Sequence, residues 1–166
     1  MKKQSAAFTR EQALNYAAGL CARCEQCEND IRRKLAARQL PAADLEHVIS
    51  WLFDHDFLND ERFARAFARD KARFNRWGRV KIRMHLTAHK LPPEAIAAGL
   101  AAIDGQEYLQ GLKALARQLG RTADLSVYEE RMKLARWLAA RGFEPPLAIK
   151  MTEELRREAE TADTEP

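Results

Sequence analysis

The stretch IRMHLTAHKLPPEAIAAGLAAI, residues 82–103, decides the fold because two related copies of it occur elsewhere in the chain. The copies are IRRKLAARQLPAADLEHVISWL at 31–52 and LARWLAARGFEPPLAIKMTEEL at 134–155. Apolar residues align at offsets of 51 and 52 in three sets: Ile31, Ile82 and Leu134; Leu35, Leu86 and Leu138; Leu40, Leu91 and Phe143. Each copy has an apolar run with helical spacing, a break that carries Pro or Gly, and a second helical run. The pattern therefore predicts a pair of helices three times over.

A further helix is predicted before each copy, at 9–21, 59–74 and 106–119. Thr9 and Gln12 are spaced as a capping box, and Asn59 or Asp60 is placed to cap the second of these helices. We expect an all-α fold of about nine helices in three tandem three-helix repeats, elongated and curved. The predicted boundaries are repeat 1 at 9–56, a basic repeat 2 at 57–104, repeat 3 at 105–157 and an acidic C-terminal tail at 158–166. A compact nine-helix bundle remains the alternative, because bundles share the same periodicity.

The bulk composition indicates a cytoplasmic protein that is not an enzyme. The 166 residues contain no apolar run near the roughly 18 residues of a membrane helix, and the opening MKKQSAAFTREQ lacks the apolar block of a signal peptide. No Gly-rich phosphate loop and no G-x-S-x-G motif occurs. We therefore predict no catalytic residues, no cofactor, no small-molecule substrate and no membrane association.

Positive charge is concentrated in the middle of the chain. The net charge is +4, but the span 61–90 holds ten Lys or Arg residues against two acidic ones, a local charge of +8. The span 153–166 carries a local charge of −4. A basic segment between near-neutral flanks indicates an anionic partner, although a solvated helix face would give the same pattern.

The candidate binding residues are the cations of this basic segment. On a helix over 59–74, the four arginines at 65, 69, 73 and 76 form one ridge, and three more cations open the next helix. Arginine suits bidentate capture of phosphate or carboxylate. The predicted partner- or DNA-binding residues are Arg65, Arg69, Arg73, Arg76, Arg79, Lys81 and Arg83. Arg62 is a separate case, because it is equally well placed to pair with a carboxylate such as Asp60.

Aromatic residues accompany these cations. Phe63, Phe67 and Phe74 fall near one stripe of the predicted helix, and Trp77 follows it. Phe63, Phe67 and Trp77 could stack on nucleic-acid bases. Their helical spacing favours a place in the core instead.

All three cysteines lie in CARCEQC, residues 21–27. On one helix Cys21, Cys24 and Cys27 would fan over about 120°, and no fourth ligand is near, so we predict no metal site. Cys27 aligns with Gly78, the residue before the basic helix, and its spacing to Asp30 is that of a helix start with sulfur in place of a hydroxyl. Cys21 is expected to be buried. A cysteine-based metal or redox sensor remains a third and weaker interpretation.

Two histidines, His85 and His89, lie four residues apart on a predicted helix, so both could reach one metal ion. The sequence H-L-T-A-H lacks the Glu of the H-E-x-x-H signature, and a third ligand is not evident. We therefore predict that they are not metal ligands.

The segment FLNDERFARAFARDKARFNRWGRVKIRMHLTAHKLPPEAI, residues 57–96, resembles the RecX family of bacterial regulatory proteins. The matching residues are Leu58, Asp60, Arg62, Phe63, Ala64, Phe67, Arg73, Gly78, Ile82, Leu86 and Leu91. Repeat 1 matches through Arg23 and DIRRKL (30–35), and repeat 3 through RMKLARWLAARGF (131–143). The family pattern often has a second glycine before Gly78, where this chain has Asn75, Arg76 and Trp77.

The resemblance implies three tandem three-helix units without catalytic residues. It also implies a regulator in DNA repair, homologous recombination and the SOS response that binds the RecA recombinase filament on DNA. The usual effect in the family is to lower RecA's ATP hydrolysis and strand exchange. Single- or double-stranded DNA is a weaker candidate partner. The alternative is a helical nucleic-acid-binding module that acts without a protein partner.

Overall fold

The structure, a computed structural model, describes residues 7–162. Within this range the chain forms nine α-helices and no β-strand, which confirms the all-α prediction. The helices are α1 (Arg10–Cys21), α2 (Glu28–Ala36), α3 (Ala42–Asp54), α4 (Asp60–Asn75), α5 (Arg79–Ala88), α6 (Pro93–Ala101), α7 (Gly105–Leu119), α8 (Tyr128–Ala140) and α9 (Pro145–Ala162). Over the described range, none of these helices is both long enough and apolar enough to span a bilayer.

The chain forms two compact units. Unit 1 comprises Met1–Ala66 with Leu86–Gly99, and unit 2 comprises Phe67–His85 with Leu100–Pro166. In unit 1 the helices α1, α2 and α3 pack on one another, and in unit 2 α7, α8 and α9 do so. The division into three repeats at the predicted boundaries stays a prediction, as does the elongated, curved shape.

Positions that align in the sequence repeat are buried in the structure. The first set, Ile31, Ile82 and Leu134, is at most 1% exposed. The second set is fully buried, and the third set is at most 7% exposed. Burial of a Leu or Ile side chain is worth about 1.5–3 kcal/mol, so these positions carry much of the core.

The first helix of each copy ends in the same kind of turn. Gln39, Lys90 and Gly142 have φ values of 57°, 59° and 90°, and each immediately precedes the third aligned apolar residue. In two copies that apolar residue donates its N–H to the carbonyl five residues back, Leu91 to Leu86 and Phe143 to Leu138. This is the hydrogen bond of a Schellman motif, which reverses the chain and buries the following side chain.

Two predicted helix caps can be compared with the structure. The Thr9 hydroxyl accepts from the Gln12 N–H at 3.2 Å, and the Gln12 side chain accepts from the Thr9 N–H at 3.0 Å, which confirms the capping box. Asn59, not Asp60, caps α4, because its side chain accepts from the Arg62 N–H at 2.9 Å. The Asp60 carboxylate instead accepts from the Glu28 N–H at 3.3 Å and so supplies a hydrogen-bond acceptor at the start of α2.

The predicted acidic tail begins inside a helix. Helix α9 continues to Ala162, so residues 158–162 are helical, and the remainder of the predicted tail lies outside the described residues. Glu158 accepts hydrogen bonds from Lys113 and from Arg117 on α7. These two cations lower the pKa of Glu158, and their hydrogen bonds join α9 to α7.

Two glycines of unit 2 meet backbone to backbone. The Gly78 N–H donates to the Arg141 carbonyl at 3.0 Å, and the Val80 N–H donates to the Gly142 carbonyl at 3.0 Å. A Cβ on Gly78 would lie 2.0 Å from the Gly142 carbonyl carbon and oxygen, and a Cβ on Gly142 would lie 2.2 Å from the Lys81 Cβ. Gly142 also has φ +90°, which side chains rarely adopt. Neither position has room for a larger residue.

We predict that Gly78→Ala lowers the free energy of unfolding by about 3 kcal/mol or more, because the clash is with backbone that cannot rotate away. Urea denaturation followed by circular dichroism measures it. Gly19→Ala is the matched control, since a Cβ there meets nothing within 4 Å. It should leave the stability unchanged or raise it by up to about 1 kcal/mol. Equal denaturation midpoints for Gly78→Ala and the wild type would contradict the prediction.

Candidate functional site

A groove of about 700 Å³ in unit 2 lies between the C-terminal half of α4 and the start of α7. Three of the predicted cations, Arg69, Arg73 and Arg76, line it. Among the described residues, none of the three has a carboxylate partner within ion-pair distance. Phe74 also lines the groove and is 72% exposed, with the Arg73 guanidinium 5.5 Å from its ring centroid. An exposed aromatic ring among arginines whose charge is not compensated is typical of a binding surface.

The opposite wall of the groove is partly acidic. Asp104 and Glu107 line that wall, and Asp70 lines the groove from α4, on the same side as the arginines. Asp104 already serves as the N-cap of α7, with its carboxylate accepting from the Glu107 N–H at 2.8 Å. Asp70 and Glu107 leave the charge of the groove mixed, so the arginine side of the groove is the part suited to an anion.

The turn after α4 holds a strained arginine and an aromatic cluster. Arg76 has φ +52°, the left-handed region that glycine favours and other residues rarely adopt. The Trp77 N–H donates to the Lys71 carbonyl at 3.1 Å. The Trp77 ring lies 4.5 Å from the His85 ring centroid, with the Lys81 Nζ 4.4 Å and the Lys71 Nζ 5.2 Å from the Trp77 centroid. Both lysines are within cation–π distance.

Arg79 is bound inside unit 2. Its backbone N–H donates to the Tyr108 hydroxyl at 3.0 Å, and its guanidinium carbon lies 4.1 Å from the Tyr108 ring centroid. The Tyr108 hydroxyl donates to Glu144 Oε2 at 2.6 Å, and Arg79 Nη1 lies 3.4 Å from Glu144 Oε1. Tyr108 is 4% exposed, and burial raises its pKa above the ordinary tyrosine value. This triad caps the start of α5 and leaves Arg79 little freedom to contact a partner.

Comparison with known proteins identifies the family. The family model for the second three-helix domain of RecX matches residues 59–100. The regulatory protein RecX of Xanthomonas axonopodis pv. citri is 32% identical over 142 residues, 86% of this chain and 86% of that protein. The regulatory protein RecX of Ralstonia nicotianae is 30% identical over 128 residues, 76% of this chain and 77% of that protein.

The chain belongs to the RecX family of regulatory proteins. The fold agrees: a crystal structure of RecX from Lactobacillus salivarius superposes with a TM-score of 0.78 at 18% identity, covering 88% of this chain and 96% of that one. A second crystal structure of a regulatory protein RecX gives a TM-score of 0.75 at 20% identity, covering 87% of this chain and 73% of that one. At these identities the structural likeness concerns the fold alone.

The remaining predicted cations of this RecX-family chain occupy different surroundings. Arg65 is exposed, pairs with Glu61 at 2.7 Å, and belongs to unit 1. Lys81 lies over Trp77, and Arg83 is exposed on α5 in unit 2. The structure therefore brings three of the seven predicted residues together in the groove, and it gives Arg79 an internal role that charge counting does not reveal.

The aromatic residues divide between core and surface. Phe63 is buried at 8% exposure and Phe67 and Trp77 are half-buried, so the first of these is core. Phe74, which helical spacing places near the same stripe as Phe63 and Phe67, is 72% exposed. It lies one residue before the end of α4.

Arg62 pairs within unit 1, although not with the carboxylate suggested by the sequence. Its Nε lies 2.7 Å from Glu25 Oε1, and its Nη1 lies 2.9 Å from Asp56 Oδ1. The same guanidinium donates to the Asp56 carbonyl at 3.0 Å. Arg62 thus ties the turn before α2 to the turn before α4, and it contributes to folding through several hydrogen bonds.

The cysteines are free thiols at a helix junction. Cys27 is the N-cap residue of α2, as predicted, but its sulfur makes no capping hydrogen bond. Cys21 is half-exposed instead of buried, and Cys24 is exposed. The fully buried Cys27 Sγ faces His89 Nδ1 at 3.6 Å, and burial raises the pKa of this thiol to about 11.

His85 and His89 contact different neighbours. In the structure His89 lies against Asp30, with 3.1 Å between His89 Nδ1 and Asp30 Oδ2, whereas His85 stacks near Trp77. The sequence carries no local signal for the contact between Cys27 and His89, because 62 residues separate them.

We predict that Tyr108→Phe lowers the free energy of unfolding by about 1–3 kcal/mol, because it leaves the part-buried Arg79 N–H and a Glu144 oxygen without this hydrogen-bond partner. Thermal and urea denaturation measure the change. Tyr128→Phe is the matched control, since Tyr128 is 61% exposed, and it should be within about 0.5 kcal/mol of wild type. If both variants have the stability of the wild type, the triad does not support α5.

Proposed function

We propose that this RecX-family chain binds the RecA–DNA filament in the cytoplasm and lowers RecA's ATP hydrolysis and strand exchange, without catalytic activity of its own. The observation that carries the proposal is the groove, where Arg69, Arg73 and Arg76 have no carboxylate partner among the described residues. Their guanidinium groups suit a carboxylate or a phosphate of the filament.

The exposed ring of Phe74 supports a protein component in that partner. A large apolar side chain beside arginines resembles the anchor residues of protein interfaces, where aromatic residues and Arg are enriched. An exposed phenylalanine has an unfavourable contact with water until a partner covers it. We therefore propose that the groove contacts an acidic and partly apolar surface of RecA. Lys81 and Arg83 on α5 do not line the groove and stay candidate contacts by sequence alone, while Arg65 lies in unit 1 and Arg79 has a structural role.

A nucleic-acid-binding module without a protein partner is the second candidate. The observation that favours it is the half-buried Trp77 with Lys71 and Lys81 within 5.2 Å and 4.4 Å of its ring centroid, an arrangement suited to a base and its phosphate. The two functions differ in the protein concentration at which they act and in how strongly binding weakens as salt is added. A module that only coats DNA acts at DNA-saturating concentrations, and each phosphate contact adds about 0.7–0.9 to the slope of log affinity against log salt.

We predict that Arg73→Glu with Arg76→Glu raises the concentration needed for half-inhibition of RecA's DNA-dependent ATPase by about tenfold or more, because two attractive contacts become repulsive. The assay titrates the chain against RecA on single-stranded DNA, starting well below the amount that would coat the DNA. Arg121→Glu with Lys150→Glu is the control: both residues are exposed and lie outside the groove, and the change in net charge is identical. The control pair should inhibit like wild type. Equal inhibition by the Arg73/Arg76 pair would rule out this surface.

A single variant separates binding from folding. Arg76→Gly removes one guanidinium while placing the residue that the left-handed backbone favours, so stability should stay within about 1 kcal/mol of wild type. Inhibition of the RecA ATPase should weaken even so. Wild-type inhibition by Arg76→Gly would remove Arg76 from the contact surface.

A further inference from the structure

Three side chains of different chemistry converge in unit 1, and none of them belongs to the groove of unit 2. They are Cys27, the N-cap of α2; Asp30, in the first turn of α2; and His89, which follows the end of α5. One ligand atom of each, the cysteine sulfur, a carboxylate oxygen and an imidazole nitrogen, lies within 4.8 Å of the others. The chain reaches this point from two segments that are far apart in sequence.

We propose that Cys27, Asp30 and His89 form a binding site for a zinc ion. The distance from Cys27 Sγ to His89 Nδ1 is 3.6 Å, and the distance from His89 Nδ1 to Asp30 Oδ2 is 3.1 Å. A tetrahedral ion with the usual zinc bond lengths holds sulfur and nitrogen about 3.6 Å apart and nitrogen and oxygen about 3.3 Å apart. The side chains are therefore already spaced as ligands.

The donor set selects the metal. Thiolate, imidazole and carboxylate together favour zinc over magnesium and calcium, which take oxygen ligands. Three protein ligands leave the fourth tetrahedral position for a water molecule. Binding converts the Cys27 thiol to a thiolate, whose proton passes to solvent as the zinc–sulfur bond forms.

Neighbouring groups hold two of the ligands in place. The second oxygen of Asp30, Oδ1, accepts from Arg33 Nη2 at 3.2 Å. The Phe63 ring contacts the His89 ring edge-on, with 5.4 Å between centroids. Groups of this kind fix the orientation of ligands in natural metal sites.

The site is accessible to an ion from solvent. Cys27 is fully buried, but the side chains of Asp30 and His89 are 16% and 26% exposed. Zinc would connect the start of α2 to the chain after α5, two segments of unit 1, and would stabilise the folded state in proportion to its concentration. The competing explanation is an ion pair of His89 with Asp30 in which the sulfur takes no part.

Cobalt substitution of the full-length chain tests the proposal. The protein is treated with a chelator, dialysed under reducing conditions, and titrated with Co²⁺ alone and then with Zn²⁺. A tetrahedral site with one thiolate should give visible d–d bands together with a near-ultraviolet sulfur-to-cobalt charge-transfer band, and one equivalent of zinc should abolish both. A cobalt spectrum without the charge-transfer band, or no spectrum, overturns the proposal.

Variants assign the ligands. Cys27→Ser should abolish the charge-transfer band and weaken zinc binding by more than about 100-fold, since even changes to outer-shell groups cost about 10–100-fold. Cys24→Ser is the matched control, because Cys24 is exposed and outside the cluster, and it should bind as the wild type does. His89→Asn, at a residue outside any helix, should also weaken binding and serves where Cys27→Ser does not fold. A spectrum that persists in Cys27→Ser, or that Cys24→Ser removes, places the metal elsewhere and overturns the assignment.

A second measurement separates this proposal from the proposed function. Zinc should raise the thermal midpoint of the wild type and of Arg73→Glu with Arg76→Glu by the same amount, because the groove arginines lie in unit 2 and the zinc ligands in unit 1. A groove variant that loses RecA inhibition but keeps the zinc response leaves both assignments standing. A wild type whose midpoint does not respond to zinc overturns the metal site alone.

Discussion

The contact between Gly78 and Gly142 is the constraint on which the geometry of unit 2 depends. Helix α5 has no acidic residue in its first turn, and a glycine precedes it, so its own sequence offers no side chain to accept from its first N–H groups. Those donors are paired through the tertiary structure: the Arg79 N–H with the Tyr108 hydroxyl, and the Val80 N–H with the Gly142 carbonyl. Without such partners a helix start loses about 1 kcal/mol or more for each buried donor. The start of α5 therefore forms together with α7 and the turn between α8 and α9.

This constraint also positions the candidate binding surface. The residues before Gly78 are Arg76 and Trp77, and the left-handed φ of Arg76 is held by the elements on either side. A non-glycine residue in that region costs roughly 1 kcal/mol, which the surrounding packing has to offset. The Gly78 N–H bond to Arg141 supplies one fixed end of the turn, and the Trp77 N–H bond to the Lys71 carbonyl supplies the other. The groove arginine at this turn is thus placed by backbone hydrogen bonds.

Short-range sequence patterns correctly predicted helices, caps and buried positions. Contacts between residues distant in sequence could not be predicted from them. The periodicity of Ile82 and Leu86 identified buried positions, and Thr9 with Gln12 identified a helix start, because both signals arise within four residues. The exposure of Phe74 depends on which other elements pack against α4, and no local pattern records that. The approach of His89 to Cys27 depends in the same way on the folding of unit 1. The sequence predicted the arginines of the candidate groove as binding residues, but it did not predict the acidic residues on the opposite wall.

The distribution of partners changes what the local charge of +8 over 61–90 means. The charges of Arg62 and Arg79 are neutralised by Glu25 and Glu144, carboxylates from other parts of the chain. These two arginines therefore stabilise the fold and are not available to a partner. Exposed pairs such as Arg65 with Glu61 contribute at most about 1 kcal/mol and exchange readily with solvent or a partner. The groove arginines differ because the described residues supply them with no carboxylate. An anion that reaches them gains new charge-assisted hydrogen bonds without breaking an existing ion pair, which is why these arginines, and not the segment as a whole, carry the proposed function.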